Sequence, residues 1–386
     1  MFRADFDTVC DRRIPGDIKY SPIEGVPDVL PMWIADMDFR VPPAVSEALS
    51  QAVSHGIFGY TDTDEEYDRA VVSWYKNRMN WETAPSAILK MPGVMFAVAA
   101  SIRALTEPGD SVLICQPVYH PFAKIVTAND RRLAVSELRL ADGRYEIDFG
   151  DFEDRIVQEK VKLFLLCSPH NPVGRVWSVE ELMEIGRICL KHSVLIVSDE
   201  IHSDIIYPGW RHTPIASLSD ELAGRCVTCT SPTKTFNLAG LQAANIIIPN
   251  EALRRKVRRA GLAAGYSSLN SMAIAATKAA YLGGAEWLAA LLEYLQGNIS
   301  LVKRFCAETG GKISLSAPEG TYLLWLDCRG LGRTDNELEE LFLYRAGVRL
   351  NRGTMFGRGG SGFMRMNIAC PGSVLAKALE RIERVI

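Results

Sequence analysis

Lys234 stands in SPTKTFNLAG, Ser231 to Gly240, a run of hydroxyl-bearing and small residues between two apolar segments. The short β-branched stretch Val227 to Thr230 precedes it and Leu238 to Ile248 follows, so the run reads as a loop between two buried elements. An ammonium is costly to bury unless it is paired or neutralised, and a desolvated lysine becomes a usable amine nucleophile or base. Ser231 and Thr233, just before it on a tight turn, offer hydroxyls to a phosphate while the amine joins an aldehyde. The bland alternative is a surface lysine flanked by turn formers.

Other residues point to the same chemistry. Asp199 ends the apolar run VLIVS and either caps the next turn or places a carboxylate in a dry site. His202, three residues later, either hydrogen-bonds that carboxylate or is a satisfied core histidine. Asn171 in NPVGR carries an amide held on a turn that Pro172 and Gly174 shape, and Tyr119 in PVYHPF offers an aromatic face. Gly93, Val94 and Met95 join the strand Ile88 to Met91 to an alanine-rich helix over 95 to 105. A glycine turn entering a helix exposes unpaired amides and the positive dipole end, a seat for phosphate, although many α/β folds use it only structurally.

Positioning these residues requires a sheet. Strands at Ile88 to Met91, Ser111 to Cys115, Leu133 to Val135, Lys162 to Leu166, Val194 to Ser198, Cys226 to Thr230 and Ala244 to Ile248 alternate with helices near Asp151 to Glu159, Val179 to His192 and Glu251 to Leu262. That alternation predicts an α/β fold with a mostly parallel central sheet flanked by helices. Such sheets bind ligands beyond the carboxyl ends of their strands, where Asn171, Asp199 and Lys234 all fall.

Residues 1 to 45, rich in prolines and aromatics, read as an extended arm belonging to a smaller α+β domain. Helices follow at Ala44 to His55, with Val45, Leu49 and Val53 as its apolar face, and at about Asp64 to Asn77. Tyr60 lies in the polar loop between them, either packing at a loop edge or serving function. The large domain spans 46–284, and a long helical region, Leu269 to Glu308, leads into the small domain, 285–386. That domain has strands at Tyr322 to Leu326 and Phe363 to Asn367.

The 386 residues carry a net charge of −3, which gives no electrostatic reason for a nucleic-acid or anionic-membrane partner. No apolar run is long enough to span a bilayer, and MFRADFDTVCDRR lacks the apolar core of a signal peptide, so a cytoplasmic protein is expected. Nine cysteines scattered through apolar segments read as reduced core thiols. Cys226 and Cys229 form one C-x-x-C on a strand pattern without a second pair, so no metal is expected. EALRRKVRR, 251 to 259, reads as a solvated helix face. GRGGSG, 357 to 362, matches a dinucleotide fingerprint by letter, yet a strand pattern follows where a helix is needed. A flexible glycine loop over a ligand, or a plain turn, fits better.

Taken together, PMWIADMDF, PGVMFAV, PVYHPF, SPHNPVGR, SDEIHSD, SPTKTFNLAGLQ and GFMRMNIACP resemble the MalY and PatB group of cystathionine β-lyases, within the class I and II aminotransferases, over essentially the whole chain. The resemblance implies fold type I, pyridoxal 5′-phosphate as cofactor, and a homodimer with shared active sites acting on a small amino acid. It implies that Lys234 carries the covalent link to the cofactor and that Asp199, Asn171, Tyr119 and His202 surround the ring. Gly93, Val94, Met95, Ser231 and Thr233 would hold the phosphate, with Tyr60 reaching that of the neighbouring subunit. Arg365, with Asn171 and Tyr60, would hold the substrate, its fork on the carboxylate. Lys234 and Tyr119 would move protons in an α,β-elimination that releases a thiol, pyruvate and ammonia. Two positions depart from the pattern. Gln242 stands where many aminotransferases have a phosphate-binding arginine, and His120 stands where the lyases often have a second tyrosine, whose role does not carry over. The alternatives are an aminotransferase and a MalY-like regulator that binds a protein.

Overall fold

The computed structural model describes residues 4–386. Its centre is a seven-stranded sheet built from β1 (Ile88–Met91), β2 (Ser111–Gln116), β3 (Arg132–Glu137), β4 (Val161–Cys167), β5 (Leu195–Asp199), β6 (Cys226–Thr230) and β7 (Ala244–Ile247). Their spatial order is β1-β7-β6-β5-β4-β2-β3. All neighbours are parallel except β7, which runs against both β1 and β6. The middle strands are buried on both faces, which explains why they read as near-continuous apolar runs instead of alternating ones.

Helices cover both faces: α1 (Pro43–His55), α2 (Glu65–Met79), α3 (Val94–Leu105), α4 (Pro121–Thr127), α5 (Phe149–Gln158), α6 (Val179–Lys191), α7 (Asp220–Ala223), α8 (Pro232–Thr235), α9 (Glu251–Ala263), α10 (Ser271–Gly283), α11 (Ala285–Glu308), α12 (Asp335–Glu339) and α13 (Gly372–Glu383). One apolar cluster packs Val98 and Ile102 of α3 and Val257 of α9 onto one face of the sheet. A second gathers Ile185 and Ile188 of α6 on the other face and continues into the C-terminal part of the chain. Cys226 and Cys229, three apart on β6, fall in different clusters, so their thiols point to opposite faces and cannot share one ion.

The C-terminal part holds an antiparallel sheet, β8 (Ser314–Leu315), β9 (Leu323–Asp327), β10 (Asn351–Arg352) and β11 (Phe363–Asn367), in the order β8-β9-β11-β10. The N-terminal arm joins this region through Leu30–Pro31, which pairs in parallel with Val348–Arg349.

Three expectations change. The long helical region from Leu269 is two helices, α10 and α11, meeting at Gly284; a Cβ there would lie 2.4 Å from both the Ala280 carbonyl oxygen and the Phe236 ring. Val53 is exposed although Val45 is buried. Eight residues of helix turn about 80° beyond two full turns, which carries Val53 off the inner face. GRGGSG is a closely packed turn: Gly360 is buried, and a Cβ on Gly353 would lie 2.0 Å from its carbonyl oxygen.

One buried ionic hub ties the C-terminal part to the turn that carries Asn171. Glu319 accepts from Arg144 Nε at 2.7 Å, Arg175 Nε at 3.0 Å and the Val176 amide at 2.7 Å. Arg175 is also held by both oxygens of Glu181 and lies 4.6 Å from the Trp177 ring centroid. Removing one partner of such a pair leaves an uncompensated buried charge, at about 3–5 kcal/mol. Glu319→Ala is therefore expected to lower the thermal unfolding midpoint well below that of an exposed control such as Glu286→Ala; equal midpoints would remove the hub from the account.

Candidate functional site

The strands β4, β5 and β6 end at one edge of the sheet, and a cavity of about 220 Å³ opens there. Its wall includes Gly93, Val94 and Met95 at the start of α3, and Tyr119 after β2. It also includes Asn171 after β4, Asp199 at the end of β5, His202, and Thr233 and Lys234 in α8.

Lys234 is fixed by its short helix. Ser231 caps α8 by accepting from the Thr233 amide at 3.0 Å, and Pro232 supplies a preset first position. The Lys234 amine donates to the Ala35 carbonyl of the arm. Burial pulls the amine down to about 8; Asp36 and Asp199 act against this and Arg365 acts with it. Burial pushes Asp199 up to about 7, against a hydrogen bond of 3.1 Å from the Ile201 amide to Oδ1. Oδ2 accepts from no side chain or amide among the described residues. Burial, followed by the charge of Asp199, also raises the Tyr119 phenol.

Two further features lack partners. Helix α3 starts at Gly93, whose φ of +140° suits glycine, with no capping side chain and no acid in its first turn. The first amides of α3 therefore meet the cavity unspent. His202 Nδ1 is buried without a hydrogen bond. Unspent donors at a helix start, an enclosed amine and an under-bonded carboxylate fit an aldehyde-bearing, phosphorylated pyridine.

A family model described as aminotransferase class I and II matches residues 27–382. Cystathionine beta-lyase PatB of Bacillus subtilis is 45% identical over 368 residues, 95% of each chain. Protein MalY of Escherichia coli is 34% identical over 381 residues, 97% of each chain. The crystal structure of Treponema denticola cystalysin, which contains a pyridoxal 5′-phosphate cofactor, superposes with a TM-score of 0.95 at 36% identity, covering 100% of this chain and 99% of that one.

The chain belongs to the class I and II aminotransferase family.

Within this aminotransferase-family cavity, most of the expected residues meet; three are placed differently, and Tyr60, expected at a neighbouring subunit, lies outside it. His202 makes no hydrogen bond to Asp199, although Oδ2 of that carboxylate is open; its ring packs edge-on to Tyr322 at 5.7 Å between centroids, with Nδ1 unpartnered. Ser231 lies outside the cavity wall, and its hydroxyl donates to the Ala243 carbonyl at 2.6 Å; Thr233, which is in the wall, donates its own hydroxyl to Ser231 Oγ at 2.6 Å. Arg365, 3% exposed in β11, does not present an empty fork. It donates to Asn171 Oδ1 at 2.9 Å, the Trp33 carbonyl at 2.8 Å and Asn351 Oδ1 at 2.6 Å, with Nε unpartnered. Burial pulls its guanidinium down to about 10. Tyr60 is fully exposed at 110% and lies away from the cavity of its own chain.

Sequence reasoning missed Ala35, Cys167, Ile201 and Ala239 in the wall, and Tyr322, whose hydroxyl donates to the Ala35 carbonyl at 3.1 Å. Ala35 acts through its backbone, which no side-chain pattern announces. Gln242, noted as a departure, is also in the wall.

Asp199 makes the site pH-sensitive. Its folded value near 7 lies above the unfolded carboxylate value, so its contribution to stability is fully present below about pH 4 and lost as pH rises through 7. In cofactor-free protein, Asp199→Asn is expected to raise resistance to denaturant at pH 8 and to lose most of that advantage at pH 5. A gain that is absent at pH 8, or larger at pH 5, would refute the assignment.

Proposed function

We propose that this chain is a pyridoxal-phosphate-dependent C–S β-lyase. It would cleave L-cystathionine or related cysteine S-conjugates by α,β-elimination to a thiol, pyruvate and ammonia. The observation that carries this reading is the convergence of Lys234, Asp199 and the uncapped start of α3 on one enclosed cavity, in a chain 45% identical to a cystathionine beta-lyase.

The cofactor supplies an aldehyde for the substrate amine and a sink for the electron pair released at Cα. Asp199 would hold the ring nitrogen, and a cationic ring there would favour the ionised carboxylate. Asn171 spends Oδ1 on Arg365 and keeps its amide hydrogens for the ring's phenolic oxygen. Tyr119 covers one ring face. The amides of Val94 and Met95 would receive the phosphate, and Thr233 would join them by turning its hydroxyl away from Ser231.

Lys234 has an amine whose burial keeps much of it neutral near pH 8, and it would take the Cα proton. The bond between Cβ and sulfur then breaks with the pair on sulfur, and Lys234 or Tyr119 returns a proton to the thiolate. The unsaturated amino acid that leaves is hydrolysed to pyruvate and ammonia. Arg365 turns its fork from Trp33 and Asn351 to the substrate carboxylate.

The site is proposed to be shared in a homodimer, with Tyr60 reaching the neighbour's phosphate. Val53, Ile57, Phe58 and Tyr60 form one exposed apolar run, as a surface meeting a second copy would. The proposed division keeps the arm, 1–45, with 285–386 as the small domain and 46–284 as the large one; the break at Gly284 and the arm's pairing with Val348–Arg349 support it. No helix among the described residues is long and apolar enough to cross a membrane, and a cytoplasmic enzyme without a nucleic-acid partner is proposed.

Purified enzyme given L-cystathionine with no keto acid is expected to form pyruvate. Lys234→Ala should lose the visible absorbance of bound cofactor and at least about 10³ of the rate. Amino transfer to an added keto acid without pyruvate would favour the aminotransferase reading instead.

A further inference from the structure

The carbonyl oxygen of Ala35 is used twice. It accepts from the Lys234 amine and, at 3.1 Å, from the Tyr322 hydroxyl. Tyr322 immediately precedes β9 and is completely buried, its ring edge-on to His202. Among the described residues its hydroxyl has no partner besides Ala35. A phenylalanine would fill the same space, so the hydroxyl is a separate feature that burial penalises unless it bonds. The acceptor is also fixed independently of it: Asn367 holds the carbonyls of Ile34 and Asp36 on either side of Ala35, and Arg365 holds that of Trp33.

Two donors on one oxygen oppose each other. A carbonyl has two lone pairs, but each bond draws on the same electron density and turns the positive end of one donor toward the other. A hydrogen bond to an ammonium favours the charged form, so an acceptor that is already engaged favours it less. The other groups facing the amine come from several elements. Asp36 of the arm and Asp199 of β5 favour the charge, and Arg365 of β11 opposes it. His202 is pulled down to about 3 by burial and then by Lys234 and Arg365, so it brings no charge near neutral pH. Burial pushes the phenols of Tyr322 and Tyr119 up, so both stay protonated. Tyr322 is therefore a fixed donor.

We infer that Tyr322 is a positioning residue for Lys234: by engaging the Ala35 carbonyl it weakens that acceptor toward the ammonium and favours the neutral amine. The neutral amine is the form that joins an aldehyde or takes a proton. This role rests on Lys234 being the reacting amine, as read above.

The test is trace acetylation of cofactor-free, full-length protein from about pH 6 to about pH 10. Mass spectrometry of the peptide that contains Lys234 gives the midpoint of its amine and, as the plateau, its accessibility. Tyr322→Phe is expected to raise the midpoint by about half to one pH unit, leaving about 3-fold to 10-fold less neutral amine near pH 7. Tyr207→Phe is the control: it removes a buried hydroxyl that donates to the neighbouring Thr321 carbonyl at 2.6 Å, and it should leave the midpoint where it is. A midpoint in Tyr322→Phe that stays put, falls, or rises no more than in the control overturns this role. So does a higher plateau with an unchanged midpoint, the mark of a merely loosened arm. The midpoint is read without cofactor or substrate, so failure to take up pyridoxal phosphate or to form pyruvate would count against the lyase reading and leave the midpoint to decide the role of Tyr322.

Discussion

The cost of dry charge governs this site. A lysine and an aspartate share one cavity wall, and burial shifts each toward its neutral form: the amine falls to about 8 and the carboxyl rises to about 7. They form no ion pair with each other. Had they done so, the pair would satisfy itself, and neither group would have reason to bind anything else. Kept apart at the ends of adjacent parallel strands, each remains under-solvated and selective for an outside partner. A pyridine that becomes cationic would answer such a carboxylate, and an aldehyde would consume such an amine.

Such a site has to be enclosed by elements that stay in place, and buried ionic hubs do this around it. Asp204 accepts from Trp74, Arg78 and Thr235, tying α2 to the residue after Lys234. Glu319 ties the turn of Asn171 to the C-terminal sheet through Arg175. Neither carboxylate reaches the cavity wall. Their partners are all donors, so each is satisfied locally and its loss would be felt as misplaced neighbours.

The central sheet could be read from sequence because strands buried on both faces leave continuous apolar runs bounded by turn residues. Helix α4, the hairpin at 139–146 and the two-residue strand pairs could not, since they are too short to show a period. In the site, Lys234, Asp199, Asn171 and Tyr119 were readable because each lies at a strand's carboxyl end or within four residues of it. The use made of Ser231, His202 and Arg365 was not. Whether a side chain is free or spent depends on acceptors far away in sequence: Ala243 for Ser231, Trp33 and Asn351 for Arg365. His202 packs on Tyr322 and leaves Asp199 Oδ2 open, because a separation of three residues along the chain does not by itself aim the ring at the carboxylate.

The arm shows the same dependence on distant donors. Residues 33 to 37 have almost no secondary structure, yet four of their carbonyls are accounted for: Trp33 by Arg365, Ile34 and Asp36 by Asn367, and Ala35 by Tyr322 and Lys234. Arg12 reaches the fifth, that of Met37. Asp36 and Asp38 are clamped between Arg12 and the buried Lys19, which holds Asp36 below the usual carboxylate range despite its burial. A proline-rich segment is thus ordered by side chains from outside it instead of by its own backbone pairing. Because Lys234 is one of those side chains, occupying its amine withdraws one donor from Ala35 and leaves Tyr322 in place. The arm's anchorage and the state of the lysine are therefore linked through a single carbonyl oxygen.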